Sequence, residues 1–435
     1  GGAWRTETPA VPSAPLVALH HRLRIDGLRA LLRRHGLRPP RPRKRNVLIL
    51  MSDTGGGHRA SAVALKAAME ELHPNRLNVT IVDMYAQCAA FPWRLIPQMY
   101  RRLAKRPLQW RFTVTLFADF KPVRRFCEWW IHYATASGLR QCIEAYQPDI
   151  VVSMHAMTNI YPLHALRRLG GGRRKVPLVT VVTDLTTVHP AWFDKNVDMC
   201  FVASEEAAML ARSRGLKQSQ LRLYGLPIHP MFGRRPPSRA VLRRRIGALP
   251  NRPLVLLVGG GDGVGGIGRV ADVVAQELGR RFPDQAQLVV VCGKNVAVRR
   301  ELEARDWPGV KVIVKGFVQP MSEYMAAADC IITKAGPGTV MEAASQGLPV
   351  MVSGYLPPQE SGNVDCVVKG GFGAYSRRPN VIAKTVCDWL ANPKMLAKMS
   401  TKARQAARPQ AVYAIAQDVC RMIPEASQTQ AAGGR

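Results

Sequence analysis

Residues 46–65, NVLILMSDTGGGHRASAVAL, contain the residue types that build a reaction centre at a strand end. Gly55, Gly56 and Gly57 remove side chains where an extended run turns into a helix, which lets a ligand reach the backbone. The free N–H groups and positive dipole end of the helix that follows favour an anion. His58 stands at that mouth, and an imidazole titrates in the range that suits proton transfer. The same letters also fit a glycine-rich turn closing an ordinary α/β strand, with the histidine bonded to backbone.

A second constellation is sharper. Residues 329–363 read DCIITKAGPGTVMEAASQGLPVMVSGYLPPQESGN. A strand over 330–333 enters the loop Lys334-Ala335-Gly336-Pro337-Gly338, and a helix is expected from Thr339 to Gln346, stopped by Gly347. Amides behind Gly338 and Thr339 could hold a pyrophosphate. Glu342, about one turn inside, could accept both hydroxyls of a ribose. Gln359 and Glu360 follow the next strand on a loop able to reach a sugar. The plainer alternative is a Pro/Gly turn with a solvated glutamate. A third glycine cluster, Gly259, Gly260 and Gly261 in RPLVLLVGGGDGVGG (252–266), repeats the strand-into-glycine pattern.

These motifs need strand ends to hold them. Strand-like runs at 46–52, 78–83, 149–154, 177–183, 198–203, 253–259, 287–292, 310–315, 329–333 and 348–353 alternate with helical stretches. That alternation predicts parallel sheets with helices on both faces, an α/β class. GRRPPSR (233–239) reads as a linker. The expected organisation is a basic extension over 1–45, a Rossmann-like domain over 46–236, a second over 237–405, and a C-terminal helix and tail over 406–435. Two such domains facing across a cleft bring both sets of glycine loops to strand carboxyl ends, where open α/β sheets bind ligands.

The chain has 435 residues and a net charge of +32, which predicts attraction to a polyanion. No helix-turn-helix, zinc-finger or RNA-recognition signature is present, so nucleic acid is not the expected partner. No apolar run approaches the roughly 20 residues needed to span a bilayer, leaving surface association. Residues 91–125 hold nine Lys/Arg, seven aromatics and one acid. Such a mixture anchors at a headgroup boundary, with Pro92, Trp93, Arg101, Arg102 and Trp110 as its candidate contacts; an amphipathic pair of core-and-surface helices is the alternative. Residues 1–45 carry eleven Lys/Arg against two acids and read as a targeting remnant or a basic tail. The nine cysteines form no C-x-x-C pair, which argues against a zinc site and for buried free thiols. With no Asp-x-Asp pair, a metal-bridged pyrophosphate is not expected.

TGGGHRASA, TKAGPGTVMEAASQGLP and PQESGN, joined by VTDLTTVHPAWF (182–193), LYGLPIHPMF (223–232) and VVCGKN (290–295), resemble the monogalactosyldiacylglycerol synthases of plant and algal plastids. These are family 28 glycosyltransferases with the two-domain GT-B fold. More distant likenesses are bacterial diacylglycerol glucosyltransferases and the peptidoglycan N-acetylglucosaminyltransferase. The resemblance implies inverting transfer of galactose from UDP-galactose to 1,2-diacylglycerol without a cofactor. It implies a peripheral enzyme of the chloroplast envelope, dependent on anionic lipid such as phosphatidylglycerol. His58 is then the expected base, with Asp184 as the alternative. Phe317 and Asn363 join the glycine loops and Glu342 as expected UDP-sugar contacts, and Pro92 matches a position linked to anionic-lipid dependence. One departure is His155-Ala156, where the family has His-Pro. A UDP-glucose-dependent relative and a soluble UDP-N-acetylglucosamine epimerase of the same fold remain alternatives.

Overall fold

The run from Val47 to Met51 is apolar at every position, and strand β1 (Arg45–Met51) is buried throughout that run, as a strand covered by helices on both faces must be. It pairs in parallel with β2 (Leu77–Asp83) on one side and β3 (Ile150–Ser153) on the other. The sheet continues through β4 (Leu178–Val181), β5 (Met199–Val202) and β6 (Leu221–Leu223), in the order β2-β1-β3-β4-β5-β6. The computed structural model describes residues 43–54, 56–104, 109, 121–261, 266–357 and 359–424. Most of the basic N-terminal extension therefore lies outside the described residues.

A second parallel sheet follows the linker. It is built from β7 (Leu254–Val258), β8 (Gln287–Val291), β9 (Lys311–Lys315), β10 (Cys330–Lys334), β11 (Val350–Gly354) and β12 (Gly373–Tyr375), ordered β12-β11-β10-β7-β8-β9. That is the Rossmann order, whereas the first sheet follows the flavodoxin-like doubly wound order. The ten strands expected from the sequence are present. The two it does not anticipate, β6 and β12, are three-residue strands at sheet edges, too short to show a period.

The helix expected from Thr339 starts two residues earlier, at Pro337, and ends at Ser345. Proline is tolerated there because a first-turn residue needs no amide hydrogen.

The strand order reverses between β1 and β3 in the first sheet and between β7 and β10 in the second. Loops leaving those four strands therefore open at the crevices where such sheets take ligands. Ser52–Thr54 leaves β1, Met154–His155 leaves β3, Gly259–Gly261 leaves β7 and Ala335–Gly336 leaves β10.

The last helix, Ala411–Arg421, returns to the first sheet. Val412, Ile415, Ala416 and Val419 share one apolar cluster with Val47, Ile49, Met51 and Leu65. Tyr224 Oη donates to Asp418 Oδ2 at 2.7 Å, and Tyr413 Oη to Glu71 Oε2 at 2.6 Å, at the margins of this contact. Replacing the fully buried Ile415 by Ala should cost about 2–5 kcal/mol, read as a lowered midpoint of denaturant unfolding.

Candidate active site

On the first sheet, Asp83 at the end of β2 organises the neighbouring loop. Its carboxylate accepts from Asp53 N at 2.9 Å, Tyr85 N at 3.1 Å and Ala86 N at 3.0 Å. Asp53 in turn takes both Nε and Nη2 of Arg59. The turn is thereby held so that helix Gly56–Leu72 presents His58 beside β4: His58 Nδ1 lies 2.7 Å from Thr183 Oγ1. The Met154 carbonyl also bonds to the ring. His155 sits edge-on to it, ring centres 4.6 Å apart, with its Nε2 2.9 Å from Thr54 Oγ1. Burial pushes His58 down to about 4 and holds His155 well below the usual imidazole range, so both rings are neutral at pH 7. A Cβ added at Gly57 would meet nothing, so the backbone there is open to approach; Gly55 lies outside the described residues.

Asp184 follows β4 on the same side. Its Oδ2 accepts from Trp192 Nε1 at 2.7 Å, and Trp192 is itself tilted 6.0 Å from His58. Burial pushes its carboxyl up to about 6 despite that bond and one to the His189 backbone, and the charge of Glu360 adds to the rise.

The second sheet supplies three glycines with space above them. Gly261 and Gly338 would place a Cβ in the open, and Gly260 has a φ of +70° that favours glycine. Gly259 donates its N–H to Val291 O at 3.2 Å, which anchors the loop to β8. Gly336 caps helix Pro337–Ser345 in extended conformation, with Thr339 in its first turn. Between the two loops lies Lys334, its Cε 3.6 Å from a Cβ built on Gly260 and its Nζ 3.5 Å from one built on Gly336. Its ammonium pairs with Glu360 Oε1, while Glu360 Oε2 accepts from Leu356 N at 2.8 Å. Glu342 is different. Burial alone pushes its carboxyl up to about 7, with no cation among the described residues opposing the rise. Phe317 is 60% exposed on the loop after β9, offering a flat apolar face beside Gly316 and Gly293.

Two expected donor contacts also bond within the protein. Both oxygens of Glu360, read from the sequence as a sugar contact, have partners there. Asn363 Nδ2 donates to Ala335 O at 2.9 Å and its Oδ1 accepts from Thr186 Oγ1 at 3.2 Å. Gly362 N donates to Thr187 Oγ1 at 3.0 Å in the same crossing between the sheets. Gln359 keeps its place at the cleft, with Oε1 3.3 Å from Tyr100 Oη. Lys334, Gly293 and Tyr100 are the residues sequence reasoning passed over, because each is defined by a partner distant in the chain.

Of the candidate membrane contacts, Trp93 packs with Ile96 against the core of the first sheet, so it is in part structural. Pro92 and Arg102 are exposed, as are Phe91 (68%) and Met99 (60%), with Arg94 over the Phe91 ring. Trp110 and the side chain of Arg101 lie outside the described residues. Among those residues no helix is long and apolar enough to cross a membrane.

The "Monogalactosyldiacylglycerol (MGDG) synthase" family profile matches residues 58–228, and that of the "Glycosyltransferase family 28 C-terminal domain" matches residues 254–412. The Arabidopsis thaliana "Monogalactosyldiacylglycerol synthase 1, chloroplastic" is 39% identical over 399 residues, covering 89% of this chain and 73% of that one. The Spinacia oleracea "Monogalactosyldiacylglycerol synthase, chloroplastic" is 40% identical over 404 residues, covering 89% and 74%. The chain belongs to the monogalactosyldiacylglycerol synthase family. It is thus a glycosyltransferase, and its architecture is GT-B. Acinetobacter baumannii MurG superposes with a TM-score of 0.53 at 16% identity, covering 87% of this chain and 99% of that one. Neisseria meningitidis UDP-GlcNAc 2-epimerase bound to UDP-GlcNAc gives 0.53 at 14%, covering 86% and 100%. At such identities the likeness is one of fold.

Within this family member, Gly293 braces the glycine loop after β7. Its φ is +58°, and an added Cβ would come within 2.6 Å of the carbonyl oxygens of Gly260 and Gly261. Gly293→Ala should therefore lower stability by about 1–3 kcal/mol, the cost of overpacking against backbone. A lower midpoint of denaturant unfolding checks this.

Proposed function

We propose that the chain transfers galactose from UDP-galactose to the free hydroxyl of 1,2-diacylglycerol with inversion at the anomeric carbon. One observation carries the reading: the loop that bears the buried carboxylate Asp184 is bonded through Thr186 and Thr187 to Asn363 and Gly362, which follow the second sheet's β11 and Glu360, the partner of Lys334. Asp184 lies at the right side for an acceptor and, pushed up to about 6, is both ionised at pH 7 and the stronger base of the two candidates. His58, with its ring held by Thr183 and Met154, serves better as a wall that positions the Asp184 loop.

In this mechanism the acceptor hydroxyl attacks the anomeric carbon from the face opposite UDP and gives its proton to Asp184. The bond from that carbon to the diphosphate oxygen breaks, and UDP leaves with the electron pair. Its charge falls on the amides of Gly338 and Thr339 and on the Lys334 ammonium, released from Glu360. Glu342 accepts the ribose hydroxyls, which gives its carboxylate the polar partners it otherwise lacks. Phe317 offers its ring to the base. With an ammonium and a helix terminus meeting the diphosphate, the proposal needs no metal ion and no cofactor.

The lipid acceptor calls for docking on a bilayer. Exposed Phe91 and Met99 beside Arg94 and Arg102 support surface binding to anionic lipid such as phosphatidylglycerol. The chloroplastic relatives suggest the plastid envelope, with the protein held peripherally.

Purified protein with diacylglycerol in phosphatidylglycerol vesicles should form monogalactosyldiacylglycerol from UDP-galactose, undiminished by EDTA; no product from UDP-galactose or UDP-glucose would sink the transferase reading. Asp184→Asn should lower kcat by about 10²–10⁴. In the wild type, kcat at saturating donor should rise with pH through about 6, because the base must be ionised, and then level off. If that limb survives in Asp184→Asn while His58→Ala abolishes turnover without loss of UDP binding, the base is His58 instead.

A further inference from the structure

Tyr100 reaches the donor loop from the helix that carries the exposed apolar and basic residues. It lies on helix Ile96–Ala104, and its hydroxyl donates to Gln359 Oε1 at 3.3 Å across a sequence separation of 259. Burial and the nearby charges of Glu360 and Asp184 push the phenol up to about 12, so it remains a donor throughout the working range of pH. The ring thus stands close to both the acceptor-side carboxylate and the sugar-side loop.

The rest of that loop is pinned. Glu360 is held by Lys334 and Leu356 N, Gly362 by Thr187, and Asn363 by Ala335 and Thr186. Gln359 has Tyr100 as its hydrogen-bond partner, and its Nε2 has none among the described residues. With Oε1 taken by the phenol, the amide presents its two N–H groups to whatever occupies the cleft, and a sugar hydroxyl is a fitting acceptor. The helix bearing Tyr100 is seated by Ile96 on the core of the first sheet, while Met99, adjacent in sequence, is 60% exposed. A shift of this short helix against a bilayer would therefore move Tyr100 with it.

We propose that Tyr100 is a positioning residue for recognition of the donor sugar, holding Gln359 so that reading the sugar depends on the lipid-borne seating of helix Ile96–Ala104. This rests on the transferase reading above.

The test uses Tyr100→Phe, Gln359→Ala and the double variant in phosphatidylcholine vesicles with increasing phosphatidylglycerol. Each single change should raise KM for UDP-galactose by about fivefold, the loss of one neutral hydrogen bond, with kcat nearly unchanged. Inhibition by UDP, which carries no sugar, should be unaltered, and the double variant should be no worse than Gln359→Ala. In the wild type KM should fall as phosphatidylglycerol rises, and in Tyr100→Phe it should not. An unchanged KM, an equal loss of UDP affinity, multiplying effects in the double variant, or a persisting lipid response in Tyr100→Phe would each overturn the proposal. Should the wild type form no product, the transferase reading fails by itself. Calorimetry of UDP-galactose against UDP on the same variants and vesicles then decides the role of Tyr100.

Discussion

In each sheet a central strand, β1 or β7, hydrogen-bonds in parallel on both sides to strands that come later in the chain. Parallel pairing requires a crossover after every strand, so all the loops that follow carboxyl ends gather on one edge of the sheet. The reversal of order beside β1 and beside β7 then parts two of those loops and leaves a crevice. His58 and His155 flank one such point, and Lys334 and Gly260 the other. Once the sheets form with these orders, the residues at these strand ends have little choice of where to be.

What the crevices contain follows from burial. Imidazoles out of water shed their charge, while carboxyls out of water hold their protons to higher pH. The first sheet therefore presents a neutral histidine pair beside an acid tuned upward, and the second an uncompensated glutamate beside a compensated one. Glu360 with Lys334 is a closed ion pair. Glu342 has no such partner among the described residues.

The two sheets are also tied to each other by short polar contacts. Thr186 and Thr187, just past Asp184, hold Asn363 and Gly362, so the loop after β4 and the start of helix Ser361–Lys369 are one hydrogen-bonded unit. The returning helix Ala411–Arg421 adds an apolar tie to the core of the first sheet. Domain boundaries drawn along the sequence cannot express this, because the contact joins segments more than 300 residues apart in number but adjacent in space.

The sequence by itself determined the α/β class, the ten longer strands, the glycine loops and the family, because apolar runs and turn glycines act on their near neighbours. The three-residue edge strands carry too few positions to show such a pattern. Only the tertiary structure decided which polar groups are free. Glu360 and Asn363, read from their motif as donor contacts, are bound by Lys334, Leu356, Ala335 and Thr186. Burial set the proton affinities of His58 and Asp184, and Tyr100 bonds to a residue 259 positions away. Hydrogen bonding and desolvation depend on what surrounds an atom in space, and a linear pattern does not encode that.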